Sequence, residues 1–269
     1  MQRSITVDQE RCCHCGLCVK DCVVNALQLN EGEVPRYVQG KEENCVGCQH
    51  CFAICPTGAL SFGNKRSQDS LQVGYGKSDD LLRLIQSRRS IRFYKKEDVG
   101  QDILNNLVSM LPYAPTGGNA DNLHFSIVST REKMDEIRAI SYQKIGESKD
   151  MPQVFYQARE AFAAGNDMIF RNAPAMIAVA LNLERTIPGC EIADPIIALS
   201  YFELYAQSLG LGTLWCDWAL MIAKKIPEIY AKLQIPEKYT LQYIILFGLP
   251  AVRYSRTIQP EMFSVNLIR

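Results

Sequence analysis

At 269 residues the chain is too long for one small module and fits one large domain or two ordinary ones. Hydrophobic residues make up 47% and charged residues 22%, enough for a packed core and against wholesale disorder. Lys plus Arg and Asp plus Glu both total 29, and this formal charge of zero argues against a nucleic-acid-binding protein, which needs a cationic footprint. No apolar run approaches the ~18 residues of a membrane span. The N-terminus, Met-Gln-Arg-Ser-Ile-Thr-Val-Asp, has no apolar signal core, so a cytoplasmic location is expected.

The chain opens on its most informative residues. Nine of the eleven cysteines (Cys12, Cys13, Cys15, Cys18, Cys22, Cys45, Cys48, Cys51, Cys55) lie in the first 55 residues, and only Cys190 and Cys216 lie beyond. The Cys-dense part repeats with an offset of 33. Cys12, Cys15, Cys18 and Cys22 map onto Cys45, Cys48, Cys51 and Cys55, and Glu10, Ala26 and Leu27 map onto Glu43, Ala59 and Leu60. Each half reads Cys-x2-Cys-x2-Cys-x3-Cys and runs into a short predicted strand, 26–29 or 59–62. Three thiolates at this spacing can wrap one corner of a cubane cluster, while the fourth starts a helical turn that points elsewhere. Zinc also accepts four thiolates, although its sites usually pair Cys-x2-Cys knuckles across a longer loop. A disulfide scaffold would need an oxidising compartment. Cys13 has no counterpart at Val46 and reads as a spare thiol beside the loop.

Residues 64–78 are polar, glycine-containing and without clear period, and read as a linker. Ser78 before Asp79 and Asp80 reads as an N-cap with an acidic first turn, and Leu81, Leu82, Leu84 and Ile85 give the helix an apolar face to about Arg88. Ile103, Leu104, Leu107, Val108 and Leu111 have helical spacing, and 125–128 reads as a strand. Helices are predicted over 131–147 and 153–170, a buried strand over 175–181 and a long apolar helix over 193–209. A short strand over 212–216, a helix over 221–233 and a last strand over 241–247 follow. This is an α+β arrangement, a central sheet flanked by helices.

Three segments of this second part carry chemistry. Arg88-Arg89-Ser90-Ile91-Arg92 places guanidinium forks and a hydroxyl on a turn, suited to a phosphate dianion; taken alone it reads first as a solvated basic helix end. Ala114-Pro115-Thr116-Gly117-Gly118-Asn119 is a turn-rich loop whose glycines allow close backbone approach. Leu209-Gly210-Leu211-Gly212-Thr213-Leu214-Trp215 is a helix end running into a strand. His124, at the head of a strand, reads as structural. Cys190 and Cys216 read as free thiols, Cys216 buried in a strand. Tyr201, Phe202 and Tyr205 read as core or dimer packing.

Residues 1–63 resemble the bacterial-type two-cluster ferredoxins. That resemblance implies one [4Fe–4S] cluster on Cys12, Cys15, Cys18 and Cys55, and a second on Cys45, Cys48, Cys51 and Cys22. Pro56 follows the last Cys of its run, as in that family; Val23 stands where a Pro is usual after Cys22, which implies altered local rigidity there. Residues 79–260, in the order of the three segments and on through Phe247-Gly248-Leu249-Pro250, resemble the FMN-dependent nitroreductase family. This implies that Arg88, Ser90 and Arg92 hold the FMN phosphate, with Arg89 contributing mainly backbone near the flavin. It implies that Asn119 contacts the isoalloxazine edge and that the backbone of Leu211, Gly212 and Thr213 approaches N5 and O4. Arg256, with Arg253 as the weaker candidate, matches the C-terminal basic residue at the phosphate. After Asn119 the chain reads Ala120-Asp121-Asn122-Leu123, a departure from the family's usual pocket wall.

The domains expected are thus a 2[4Fe–4S] ferredoxin-type module (1–63), a linker (64–78) and an FMN domain (79–269). The joint resemblance implies an iron–sulfur flavoprotein oxidoreductase. The clusters would pass electrons singly to FMN, which reduces a small acceptor such as a nitroaromatic or quinone, with no obligatory side-chain acid or base. The electron donor would be a ferredoxin or NAD(P)H, and the protein a homodimer. The alternative is an electron-transfer protein that relays electrons to a protein partner. Neither nucleic acid nor membrane is expected as a partner.

Overall fold

The repeat and the hydrophobic alternation each build a core of their own. The computed structural model of the chain, which describes residues 3–261 and 263–269, divides into two compact units. One is Met1–Tyr75 with Gly118–Ala120, the other Gly76–Gly117 with Asp121–Arg269.

In the first unit, β1 (Ile5–Val7), β4 (Leu60–Phe62) and β5 (Lys65–Arg66) form an antiparallel sheet in the order β1-β4-β5. A second antiparallel pair joins β2 (Leu27–Gln28) to β3 (Arg36–Tyr37). Two single-turn helices, α1 (Leu17–Lys20) and α2 (His50–Ala53), carry the third cysteine of each triplet, Cys18 and Cys51. The internal repeat extends to the backbone. His14 and Gly47, Gly16 and Gln49, and Asn25 and Gly58 are pairs at the same offset, and all six take positive φ. Each half therefore needs left-handed turns at the same three places, where Gly or Asn costs least. The repeated Ala26, Leu27, Ala59 and Leu60 are all buried, with Phe52 and Phe62 beside them. The stretch predicted as a linker is not featureless: β5 pairs with β4, and Ser67 Oγ donates to Leu60 O at 2.7 Å.

The second unit is a helix–sheet–helix sandwich. Its sheet has the order β6-β7-β9-β8, antiparallel throughout, from β6 (Leu123–Val128), β7 (Ala175–Leu181), β8 (Gly212–Trp215) and β9 (Thr240–Gly248). Side chains alternate across a strand, and the two central strands show it. Met176 and Ala178 of β7, with Ile244 and Leu246 of β9, enter one core. Ala175, Ile177 and Val179, with Ile245 and Phe247, enter the other. The first core is closed by α5 (Arg131–Glu147), α6 (Gln153–Ala163), α8 (Asp217–Lys225) and α9 (Pro227–Lys232). The second is closed by α4 (Gln101–Met110) and α7 (Ala193–Ser208). α3 (Ser78–Ser87) buries no residue, and Leu81, Leu82 and Ile85 remain exposed.

Two helices differ from the sequence reading. The predicted 153–170 helix stops at Ala163, because Gly165 (φ 87°) forms a Schellman end: Gly165 N donates to Phe162 O and Asn166 N to Ala161 O, each at 2.9 Å. The segment beyond is pinned by buried Asp167. Its carboxylate accepts from Arg138 Nε (2.9 Å), Tyr142 OH (2.6 Å), Phe170 N (2.9 Å) and Asn172 N (2.9 Å). The predicted 221–233 helix is two helices, α8 and α9, because Pro227 lacks the N–H that would continue α8 and starts α9 instead. Cys216 is buried, but as the N-cap of α8 rather than in a strand. Its Sγ accepts from Ala219 N (3.4 Å) and donates to Ile169 O (3.3 Å). Among the described residues, no helix is long and apolar enough to cross a membrane.

Candidate functional site: two cysteine cavities and an arginine-lined cleft

The first unit sorts its thiols by the crossed pattern of the repeat. One cavity is lined by Cys12, Cys15, Cys18 and Cys55, together with the spare Cys13. A second is lined by Cys22, Cys45, Cys48 and Cys51. In each half the first two cysteines lie on a loop, the third sits in a one-turn helix, and the fourth lies past the helix end. None of these thiols is in a disulfide. Backbone and hydroxyl groups already address some of the sulfurs. Ala26 N donates to Cys22 Sγ at 3.4 Å, and Thr57 Oγ1 lies 3.7 Å from Cys55 Sγ. At Cys55 burial works to raise the pKa, but hydrogen bonds from Thr57 and the backbone of Leu60 and Ala59 bring it below the ordinary thiol value. Burial pushes Cys51 up to about 11 and raises Cys18 as well. Among the described residues no three such side chains converge tightly enough for a single metal ion, but several thiols lining one cavity, partly buried and partly hydrogen-bonded at sulfur, are the kind of donor an iron–sulfur cluster uses.

The arginine segment of the second unit lies against the sheet edge. After α3 ends at Ser87, residue 88 turns extended (φ −58°, ψ 132°), and Ser90 bridges Thr213 in parallel. Ile91 N donates to Thr213 O at 2.8 Å. Tyr94 OH donates to Ile91 O at 2.8 Å, and Ala251 N to Phe93 O at 2.9 Å. The segment thus extends the sheet beyond β8 and is rigid for a reason readable in its hydrogen bonds. Gly212 is required there by close approach: a Cβ at that position would lie 2.5 Å from Ile91 Cγ1.

The side chains sort into three kinds. Arg88 is half-buried, and its Nη1 meets Glu203 Oε1 of α7 at 3.4 Å. The same oxygen accepts from buried Thr213 Oγ1 at 3.0 Å. Arg89 lines a cleft of about 220 Å³ shared with Leu211, Gly212, Thr213 and Arg253. Arg89 Nη1 donates to Arg88 O, while its buried Nη2 has no partner among the described residues. Arg92 is exposed and donates to Ser90 O at 3.2 Å. Arg256 is exposed and does not line the cleft, whereas the weaker candidate Arg253 does. Asn119 falls by its contacts in the first unit, where Nδ2 donates to Val46 O at 3.0 Å. His124 is hydrogen-bonded to Ser126 within β6, and burial lowers its pKa.

An orphaned, buried guanidinium donor costs free energy without an acceptor, and in a cleft with a second arginine an anion is the favoured one. The residues present therefore fit a phosphate group. Sequence reasoning missed Glu203, which looked like one polar residue on an apolar helix. Arg89, expected to contribute mainly backbone, also turns its side chain into the cleft.

A cysteine module with two thiol-lined cavities, joined to an α+β unit with a phosphate-compatible cleft, defines a class: a ferredoxin-type domain fused to an oxidoreductase domain. Residues 85–249 match the nitroreductase family, and the chain belongs to that family. Residues 5–62 match the 4Fe-4S dicluster domain. A Methanothermobacter thermautotrophicus protein carrying the provisional name NADH dehydrogenase/NAD(P)H nitroreductase is 28% identical over 174 residues, covering 64% of this chain and 78% of that protein. A ferredoxin of Methanothermococcus thermolithotrophicus is 32% identical over 60 residues, covering 22% of this chain and 95% of that protein. The crystal structure of a nitroreductase with bound FMN from Desulfitobacterium hafniense superposes with a TM-score of 0.57 at 21% identity, covering 71% of this chain and all of that one.

Proposed function

We propose that the protein is an iron–sulfur flavoprotein oxidoreductase that uses FMN and two [4Fe–4S] clusters to reduce a small acceptor such as a nitroaromatic or quinone. The observation that carries the reading is the crossing of the two cysteine runs, Cys55 with Cys12, Cys15 and Cys18 and Cys22 with Cys45, Cys48 and Cys51, in a chain whose larger unit belongs to the nitroreductase family. When bound, the clusters supply one-electron steps and FMN supplies two-electron transfer to the acceptor.

The work of the protein is positional and electrostatic. Cys12, Cys15, Cys18 and Cys55 would hold one cluster, and Cys22, Cys45, Cys48 and Cys51 the other. The segment Arg88, Arg89, Ser90 and Arg92, with Arg253 or Arg256, would neutralise the phosphate. Leu211, Gly212 and Thr213 would form a floor beside it, their strand fixed between β9 and Ser90. Asn119 would meet the ring edge. A homodimer is supported by apolar surface left open in the single chain: Leu81, Leu82 and Ile85 of α3, Tyr201 of α7, and Phe263, Val265, Leu267 and Ile268 near the C-terminus.

Anaerobic titration of the purified protein with NAD(P)H tests the reading. Bleaching of flavin and cluster absorbance, followed by turnover of a nitroaromatic that Arg88→Ala or Asn119→Ala slows, is the expected result. Reduction only by a low-potential ferredoxin would make the clusters the entry port. Turnover that requires an added protein acceptor would instead make the chain an electron carrier. A spectrum without a flavin band after FMN is supplied would refute the flavin assignment.

A further inference from the structure

Among the described residues, Glu203 of α7 is a buried acid that touches both segments assigned above to the cofactor. Its side chain is only 10% exposed. Oε1 accepts from Thr213 Oγ1 at 3.0 Å, on β8, and meets Arg88 Nη1 at 3.4 Å, at the head of the arginine segment. One turn further along the same face of α7, Gln207 Nε2 donates to Leu84 O at 3.1 Å in the last turn of α3. α7 therefore grips the segment twice, by the backbone where it leaves α3 and by the guanidinium of Arg88. A carboxylate in this position is costly unless it is paired, and its two donors are those two side chains.

The contact to Arg88 is one-sided. Only Nη1 faces Glu203, and among the described residues no other protein group takes the remaining N–H donors of this guanidinium. A planar fork held by one corner keeps its other edge oriented for a second anion. The long, flexible side chain would otherwise lose rotamer entropy when it closes on a ligand. Thr213 fixes the carboxylate in turn, so the orientation is passed from the strand to Glu203 and from Glu203 to Arg88.

We infer that Glu203 is a positioning residue that pre-orients Arg88 for the phosphate of the flavin nucleotide. The inference rests on the FMN reading of the Arg88–Arg92 segment. Glu203→Gln is the informative change, since it keeps the volume and an acceptor for Thr213 but removes the charge that holds Arg88. Loss of one charge-assisted contact weakens the ligand by about tenfold.

The test is a double-mutant cycle on full-length protein stripped of flavin, with Kd for FMN and for riboflavin read by flavin fluorescence quenching. Wild type, Glu203→Gln, Arg88→Ala and the double variant are compared. The expected result is an FMN Kd raised about tenfold by Glu203→Gln in the wild-type background and unchanged by it in the Arg88→Ala background. Riboflavin, which lacks the phosphate, should bind all four equally. An equal effect of Glu203→Gln in both backgrounds, or an equal loss for riboflavin, would make Glu203 a packing residue and overturn the inference. Tighter FMN binding by Glu203→Gln would make it a competitor for Arg88, which also overturns it. If FMN binds normally but Arg88→Ala leaves its Kd unchanged, the role of Arg88 fails while the flavin reading survives. If none of the proteins binds FMN, the flavin reading itself fails.

Discussion

Gly212→Ala is the most exacting test of how the arginine segment is held. The added Cβ would lie 2.5 Å from Ile91 Cγ1 and 2.8 Å from both Ile91 Cβ and Cγ2. Ile91 has no room to give. Its Cβ is itself in the clash, so rotation about χ1 brings no relief, and its amide is tied to Thr213 O at 2.8 Å. It is also buried in the core under the sheet. Either β8 or residues 90–92 must move. Overpacking of this kind costs about 1–3 kcal/mol, and a clash with atoms at the root of a side chain falls at the upper end. For a unit of this size, about 3 kcal/mol lowers Tm by about 6–12 °C. Both tryptophans of the chain, Trp215 and Trp218, lie in the larger unit, so tryptophan fluorescence during heating of the full protein reports on that unit alone. Because Ile91 sits between Ser90 and Arg92, the variant should also retain less FMN after gel filtration. Ile91→Ala removes two of the three clashing atoms, so the double variant should be less destabilised than the two single effects summed. A Gly212→Ala protein that melts within about 2 °C of wild type, or strictly additive effects, would refute the close-approach argument.

Other expectations follow from the same geometry. Asp167→Ala leaves Arg138 buried without its main partner and releases Phe170 N, Asn172 N and Tyr142 OH. A loss of about 3–5 kcal/mol in urea unfolding is expected, and a loss under 1 kcal/mol would contradict the network. Cys22→Ser should halve the iron bound per chain and leave the cluster of the Cys12 set in place, as measured by iron analysis and electron paramagnetic resonance. Burial pushes the Cys216 thiol up to about 11, so iodoacetamide at pH 8 should label it only after denaturation, as read by peptide mass spectrometry. His124 has a pKa lowered by burial. Below about pH 6.5 the unfolded chain therefore binds a proton that the folded chain refuses, and stability drops as pH falls through that range. Tm should accordingly fall more steeply between pH 7.5 and 5.5 for wild type than for His124→Asn; parallel curves would count against it.

The two cysteine triplets were legible in the sequence from their short spacing and their repeat, whereas the fourth, crossed thiol of each set came only with the resemblance to two-cluster ferredoxins, since it lies in the other half of the module. The offset repeat even carries the left-handed turns at His14, Gly16 and Asn25 and their counterparts. The strands and most helices were legible for a related reason: periods of two and 3.6 are local, and the two-faced burial of β7 shows as an unbroken apolar run. Helix ends were legible in principle, since Gly165 and Pro227 are both visible stop signals, but apolar residues beyond them masked the breaks. What tertiary structure alone decided was pairing across the chain. Nothing near Glu203 in sequence signals that its carboxylate meets Arg88 and Thr213. Nothing near Arg89 signals that one of its donors ends buried without a partner in a cleft that Arg253 also lines. The Arg88–Glu203 contact joins residues 115 positions apart and forms only when α7 packs against the arginine segment, and the Arg89 contact hangs on one side-chain rotamer. Local spacing therefore determined which chemistry the chain carries, and packing determined which side chains are free to perform it.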